Sequence, residues 1–452
     1  MTTSSVYLVS LGCAKNLVDS EIMLGSLLKA NYPIENSPSA AEIIIINTCA
    51  FIQPAKEEAL ETIIELGRQK KHGACRLLVV TGCLPQRYRI SLSALLPEVD
   101  IFIGTGEFHR IVELINAHLQ TEATPHFYLK NTRYLYDDTT PRLNTSLPGT
   151  AYVKIAEGCA HRCSFCIIPK VRGGFRSRDP RSVVREVENL SKQGIKEINL
   201  VAQDTTMFGR ELSPPFGITA LLRHLGRIKG IEWIRLLYAN PQRLTNELLQ
   251  VIEEGKKICK YLDLPLQHVN PEILRAMNRA NDPERIKDLV ERIRTRIPGV
   301  TIRTALMVGF PGETDAQFGE LLAFVRQVEF DRLGVFTYSA EEGTAAARLP
   351  HQIPEKVKED RRNTIMEAQA GISRKKNRAL IGTVQEVLLQ TRDQSGSRGR
   401  TSAQAPDVDG VVRVTAHNAL RLGKLYPVVI TDADAYDLHG IIFRQGKSSK
   451  NL

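Results

Sequence analysis

Cys159, Cys163 and Cys166 stand in the run Glu-Gly-Cys-Ala-His-Arg-Cys-Ser-Phe-Cys, and this C-x3-C-x2-C spacing constrains the chain more than any other feature. Three thiolates so close on one loop can each bind a different iron of a cubane cluster, leaving the fourth iron without a protein ligand and open to chemistry. Two plainer readings stand beside this one: cysteine is often a small buried hydrophobe, and zinc also takes close-spaced cysteines. Zinc usually takes four ligands in two close pairs, whereas no fourth Cys or ligand-spaced His closes this site locally, and His161 between the cysteines is poorly placed to do so.

At 452 residues the chain is long enough for two or three domains, each with its own core. Residues 1–120 alternate strand-like and helix-like segments with short connections, as parallel α/β units do. Short apolar runs at 7–10, 43–46, 77–80 and 101–103 suit buried parallel strands, and helical periodicity covers 20–30 and 56–69. Cys13 follows the first of these strands, Cys49 the second and Cys83 the third. The carboxyl ends of parallel strands lie on one edge, so the three cysteines are expected to converge there. A second iron–sulfur cluster explains that repetition better than chance does.

Residues 121–149, with Pro125, Pro141, Pro148, Gly149 and several Thr and Asn, have no sustained period and are expected to form a linker. Six strands are predicted within 150–350, at 152–156, 198–202, 233–238, 261–264, 302–308 and 334–338. Helices between them include 181–191, 244–253, 283–294 and 315–328. Six right-handed βα units curve into an incomplete barrel, with the Cys159–Cys166 loop following its first strand at the functional mouth. A charged helix over 351–379 leads to 380–446. There, strands at 383–390, 411–415, 426–431 and 440–443 predict a small antiparallel barrel.

A hydrophobic fraction of 42% with 24% charged residues is ordinary for a soluble protein. No apolar run approaches the roughly 18–20 residues a membrane span needs, and Met1-Thr2-Thr3-Ser4-Ser5 lacks a basic leader, so a cytoplasmic location is expected. Eight cysteines, several in strand-to-helix turns, read as reduced metal ligands sooner than as disulfides, while Cys75 and Cys259 match no ligand position. A net charge of +10 favours an anionic partner such as RNA or the ribosome as a tendency only.

Taken together, Gly12-Cys13-Ala14-Lys15-Asn16-Leu17-Val18-Asp19-Ser20-Glu21, Asn47-Thr48-Cys49-Ala50-Phe51-Ile52 and Gly82-Cys83-Leu84 resemble the amino-terminal domain of the methylthiotransferases. The triad within Glu157–Pro169 resembles their radical S-adenosylmethionine (SAM) domain, and the terminal barrel their TRAM domain. The resemblance spans nearly the entire chain. It implies two [4Fe–4S] clusters, an auxiliary one on Cys13, Cys49 and Cys83 and a radical-generating one on Cys159, Cys163 and Cys166, with SAM on the latter's open iron. One SAM would methylate a sulfur carried by the auxiliary cluster, and a second would yield a 5'-deoxyadenosyl radical that removes hydrogen from an unactivated carbon. An external electron donor and sulfur donor are also implied.

One branch of that family modifies a tRNA adenosine, and another the β-carbon of an aspartate in the twelfth protein of the small ribosomal subunit. The segments 202–206 (AQDTT), 261–268 (YLDLPLQH), 308–314 (VGFPGET), 336–344 (FTYSAEEGT) and 405–410 (APDVDG) resemble the ribosomal-protein branch. Residues 377–445 carry 8 Arg and Lys against 7 Asp and Glu, too balanced for a strong RNA footprint. RNA contact stays possible, but RNA is not the predicted substrate. Asp407 and Asp409 either attract a basic ribosomal protein or are turn residues beside Pro406 and Gly410. Gln203 and Asp204, after the second barrel strand, are candidates to contact the cofactor's amino group or substrate. Gln267 is a candidate ribose contact, and Arg303 on the fifth strand a candidate near the cofactor carboxylate; each could instead be structural. The 309–312 turn lacks the Gly-Lys-Ser or Gly-Lys-Thr of a phosphate loop. The basic run Lys170, Arg172, Arg176 and Arg178 is expected to be a solvated face rather than a clamp.

Overall fold

The computed structural model describes residues 4–120, 126–130, 133–279, 283–394, 396–415 and 420–443; Pro125 of the expected linker lies outside them. The first sheet runs β1 (Val6–Ser10), β2 (Ile43–Thr48), β3 (Leu77–Gly82), β4 (Ile101–Gly104) and β5 (His126–Tyr128), parallel throughout and in that order. Ile43 and Ile45 face one core while Ile44 and Ile46 face another. A continuous apolar run is thereby explained as a strand covered on both faces. β5 comes from the segment expected to be a linker, where a three-residue strand between turn-rich flanks leaves no readable period.

Six parallel strands follow, ordered β13–β12–β11–β10–β9–β6 in the sheet. They are β6 (Thr150–Lys154), β9 (Glu197–Val201), β10 (Trp233–Leu236), β11 (Ile258–Asp263), β12 (Thr301–Val308) and β13 (Arg332–Thr337). A two-residue pair, β7 (Ala156–Glu157) with β8 (Arg176–Ser177), flanks the cysteine loop. Ile198, Leu200, Ile234, Leu262, Ile302 and Leu306 pack under the outer helices, which makes this the largest core. The alternate residues Glu197, Asn199 and Arg235 fall on the opposite, lumen face, as a strand period of two requires. The predicted helix 315–328 is observed as Asp315–Val328. Its capping box between Thr314 and Gln317 satisfies otherwise orphaned backbone N–H groups.

The helix Glu355–Arg378 packs on β13 and leads to a closed barrel of β14 (Val384–Asp393), β15 (Gly396–Arg400), β16 (Val412–Thr415), β17 (Leu425–Ala433) and β18 (Leu438–Ile442). The expected all-antiparallel barrel is corrected in two respects: β15 was not anticipated, and β16 pairs with β18 in parallel. The sequence Gly-Ser-Arg-Gly-Arg of β15 carries no apolar alternation, and its last residue is given to the neighbouring domain. Arg400 from it enters the floor of the six-stranded barrel and bonds Glu197, Thr150 and Gln390. No helix among the described residues is long and apolar enough to cross a membrane.

Candidate functional site

Parallel pairing of β1 with β2 and β2 with β3, in the registers Ser10↔Asn47 and Thr48↔Gly82, brings their carboxyl ends to one edge. Cys13 stands immediately before the helix Ala14–Lys29, Cys49 just beyond β2, and Cys83 opens the helix Cys83–Tyr88. The edge is fastened by Asn16, whose Nδ2 donates to the carbonyls of Leu11 (3.0 Å) and Thr48 (2.9 Å), while the Cys83 thiol lies 3.8 Å from its Oδ1. Gly12 has φ +88°, and a Cβ there would stand 2.6 Å from Cys49 Cβ and 3.1 Å from its sulfur, so only glycine lets the first and second turns close.

These thiols feel one another's charge. Burial drives Cys83 up to about 12, with Arg172 opposing, and burial together with Cys13 raises Cys49. For Cys13 burial also acts upward, but Lys15 and Arg172 outweigh it and hold the thiol below its ordinary value. No three His, Cys, Asp or Glu side chains among the described residues are grouped to hold a single metal ion. Three soft donors from three separate turns, two of them unfavourable as free thiolates, suit a cluster whose irons each take one sulfur and supply the compensating charge.

The second triad lies on the loop after β6 and β7. Its backbone is tied down on several sides: Cys159 N donates to Gly173 O (3.1 Å), Ser164 N to Met277 O (3.0 Å), and Cys166 N to Cys163 O (3.1 Å). Asn278 Nδ2 donates to Arg162 O (2.7 Å), and Arg279 reaches both Cys163 Sγ (3.7 Å) and Pro265 O (2.9 Å). All three sulfurs are partly accessible. Burial, with the charge of the neighbouring thiols, pushes Cys166 up to about 12 and raises Cys159, against backbone hydrogen bonds that act downward. The donor set again fits a cluster.

Between the triads lies a closed set of charges that the basic-run reading misjudged. Arg172 and Arg178, expected on a solvated face, are 2% and 1% exposed. From the helix Ile168–Arg172, Arg172 donates to Glu157 Oε2 (3.0 Å), Asp19 Oδ2 (3.1 Å) and Asn16 Oδ1, and lies 4.0 Å from Cys83 Sγ. Lys154 on β6 bonds the same two carboxylates, at 2.7 Å to Glu157 and more closely to Asp19. Arg178 instead bonds Glu186 (2.5 Å) and the Lys154 carbonyl (3.0 Å) and stacks over Tyr136. For Arg172 the physical reason is the domain boundary, where Asp19 and Glu157 come from two domains, whereas Arg178 is buried by the carboxylate of Glu186 within the central domain. A further clamp uses buried Glu341, which takes Lys56 (2.9 Å) and Arg87 (2.6 Å) from the first domain.

Gln203 lies beside the triad loop, its Nε2 3.3 Å from Glu157 Oε1 and its Oε1 unpartnered. Asp204 is also there, but its carboxylate is already engaged by His161 Nε2 (2.7 Å), Arg243 (3.3 Å), Asn240 (3.4 Å) and Thr206. His161 belongs to the cysteine loop, so Asp204 anchors that loop. Gln267 adopts φ +74°, its N–H donating to Ala305 O (2.9 Å) and its carbonyl accepting from Met307 N (2.6 Å). Arg303 points away from these three, pairing with Asp263 (2.9 Å) and, at 3.8 Å, with Asp409; it lines a cleft of about 360 Å³ with Arg332, Gly334 and Tyr436. Asp407 and Asp409 turn inward onto Tyr152 OH (2.6 Å) and Tyr261 OH (2.7 Å), so their carboxylates hold the C-terminal barrel to the central one. Sequence reasoning missed Lys15, Asp19, Lys154 and Glu157. The available signal was a Lys and an Asp one helical turn apart directly after Cys13, and a Glu two residues before Cys159.

Three family models match the chain: Radical SAM superfamily over residues 153–325, Uncharacterized protein family UPF0004 over 5–104, and TRAM domain over 381–442. The ribosomal protein uS12 methylthiotransferase RimO of Geobacter sulfurreducens is 49% identical over 442 residues, covering 97% of this chain and 98% of that protein. That of Syntrophotalea carbinolica is 50% identical over 440 residues, covering 97% and 96%. Among solved structures, the radical S-adenosylmethionine methyltransferase TsrM of Kitasatospora setae superposes with a TM-score of 0.56 at 16% identity, over 74% of this chain and 75% of that one. The radical enzyme OxsB follows at 0.52 and 13% identity, over 81% and 56%; both show the fold alone. With such identity over nearly its full length, the chain belongs to the RimO family of methylthiotransferases within the radical SAM superfamily.

Proposed function

We propose that this protein transfers a methylthio group to an aspartate β-carbon of ribosomal protein uS12, with Cys159, Cys163 and Cys166 holding the radical-generating cluster and Cys13, Cys49 and Cys83 the auxiliary one. The observation that supports the reading is Arg172: it follows the loop of the second triad and ends 4.0 Å from Cys83 Sγ, in the buried ion network with Asp19 and Glu157. When bound, the clusters and SAM supply one-electron chemistry and reduced sulfur that no amino-acid side chain offers.

The chain's own residues bind, orient and exclude water. Asp204 and Arg279 fix the cysteine loop through His161 and Cys163. Gln203, with one free amide oxygen at the mouth, is placed to accept a hydrogen bond from the cofactor's amino group. Glu157 stays charged because Arg172 and Lys154 outweigh the effect of its burial. Asp19, Glu157, Lys154 and Arg172 together hold the two domains at one separation, which a reaction passing a group between two sites needs. The C-terminal barrel spends Arg400, Gln390 and Asp409 on the central barrel, and this supports a scaffold role there and a protein substrate over the tRNA alternative. Action on a ribosomal protein supports a cytoplasmic location, with electrons and sulfur supplied by external donors as part of this proposal.

Reconstituted, reduced enzyme incubated with uS12 and SAM should add the mass of one methylthio group to an aspartate-containing peptide and release 5'-deoxyadenosine. Modified tRNA with untouched uS12 overturns the reading.

A further inference from the structure

Lys15 is the second residue of the helix that starts after Cys13, and it is 8% exposed. Its ammonium lies 3.8 Å from the centre of the Tyr238 ring. Among the described residues no oxygen accepts a hydrogen bond from it. An ammonium carries three donors, and one that meets only an aromatic face leaves them for solvent or a ligand to fill. Lys154 and Arg172 close on Asp19 and Glu157, two cations on two anions, so Lys15, which feels the charge of Cys13 and Glu157, has no contact ion pair with a carboxylate among the described residues.

Its position is as informative as its charge. Tyr238 belongs to the central barrel, at the end of β10, and its backbone is held in the left-handed region at φ +57°. Asp263 Oδ2 accepts from its N–H at 3.0 Å, and its carbonyl accepts from Thr205 N at 3.1 Å. Strained backbone of this kind at a bulky residue persists where the surroundings over-determine it, commonly beside a functional centre. Lys15 therefore spans from the first triad's edge to the mouth of the barrel that carries the second.

We propose that Lys15 is the receptor for the carboxylate of the acceptor aspartate, setting that side chain between the two cysteine triads and making the enzyme selective for an acidic residue. This rests on the uS12 reading above. An ammonium–carboxylate contact in such a place is expected to separate Asp from its neutral isostere by about tenfold or more in affinity.

The test uses cluster-loaded enzyme without SAM and two synthetic peptides spanning the uS12 acceptor, one with the Asp and one with Asn in its place, followed by fluorescence anisotropy. Wild type should bind the Asp peptide about tenfold more tightly than its Asn twin. Lys15→Met should bind both as weakly as wild type binds Asn, with iron content and the electron paramagnetic resonance (EPR) signals of both clusters unchanged, and Lys15→Arg should recover part of the preference. Equal binding of the two peptides by wild type overturns the proposal whatever becomes of the variants. So does a Lys15→Met enzyme that keeps the preference while its auxiliary-cluster signal shifts, since the lysine then serves the cluster. If wild type binds neither peptide and leaves uS12 unmodified, the substrate reading falls and this proposal with it; if uS12 is modified but Asp and Asn bind alike, only this proposal falls.

Discussion

Replacing Glu197 by Gln removes a charge from the floor of the central barrel without changing side-chain volume. The carboxylate is fully buried on β9 between Arg235 (3.0 Å) and Arg400, and accepts from Thr150 Oγ1 (3.0 Å). Burial acts to raise its carboxyl, but Arg400 and Arg235 outweigh it and hold it at about 2. Its displacement from an ordinary glutamate corresponds to about 3 kcal/mol. A second route agrees: the variant leaves two buried guanidinium groups facing only neutral acceptors such as Ser402 O and Gln404 O. Removing one partner of a buried pair costs about 3–5 kcal/mol. Trp233, the only tryptophan, packs in the same cluster as Leu388 and Ala405 of the C-terminal region, so its fluorescence during urea unfolding reports this junction. The expected loss is about 3 kcal/mol or more at pH 7. A folded carboxyl below its unfolded value contributes stability that is complete above about pH 4.3 and lost as pH falls toward 2. The gap between wild type and Glu197→Gln should therefore stay constant from neutral pH down to about 5 and shrink below 4. A loss under about 1 kcal/mol, or a gap as large at pH 3 as at pH 7, refutes the argument that this charge holds the floor. Arg398→Ala is the control, since its partner Asp393 is exposed and the change should stay under about 0.5 kcal/mol.

Cys163→Ala should abolish 5'-deoxyadenosine formation, whereas Cys83→Ala should retain it and lose methylthio transfer; each should hold about four irons per chain in place of about eight by metal analysis. Gly12→Ala, whose new Cβ meets Cys49, should lower iron at the auxiliary site while the radical-cluster EPR signal persists; full occupancy of both sites would contradict the close approach. Arg172→Met leaves Asp19 and Glu157 sharing Lys154 alone and should cost about 3 kcal/mol in anaerobic thermal or urea unfolding, an unchanged midpoint counting against the network.

The order of the fold and the convergence of Cys13, Cys49 and Cys83 on one sheet edge were legible in the chain because both depend on local pattern. Continuous apolar runs such as 43–46 mark strands covered on both faces, and a cysteine after each of three such runs must reach the same sheet edge when the strands are parallel. Asp315–Val328 was readable to the residue because a capping box closes its start. β5 and β15 were not readable, since one is three residues long and the other is polar and glycine-rich. Charge was the larger gap. Lys170, Arg172, Arg176 and Arg178 are equivalent in sequence, yet Arg172 and Arg178 are buried and Lys170 is exposed. What a lysine or arginine does depends on the carboxylate or ring it meets across a domain boundary, and that partner is more than a hundred residues away for Arg172 with Asp19, Arg142 with Glu21 and Lys15 with Tyr238. Spacing along the chain thus determined which cysteines fall on one loop and which on one sheet edge. Only the packing of one domain on another decided which charges cancel and which one, Lys15, meets an aromatic ring in place of a carboxylate.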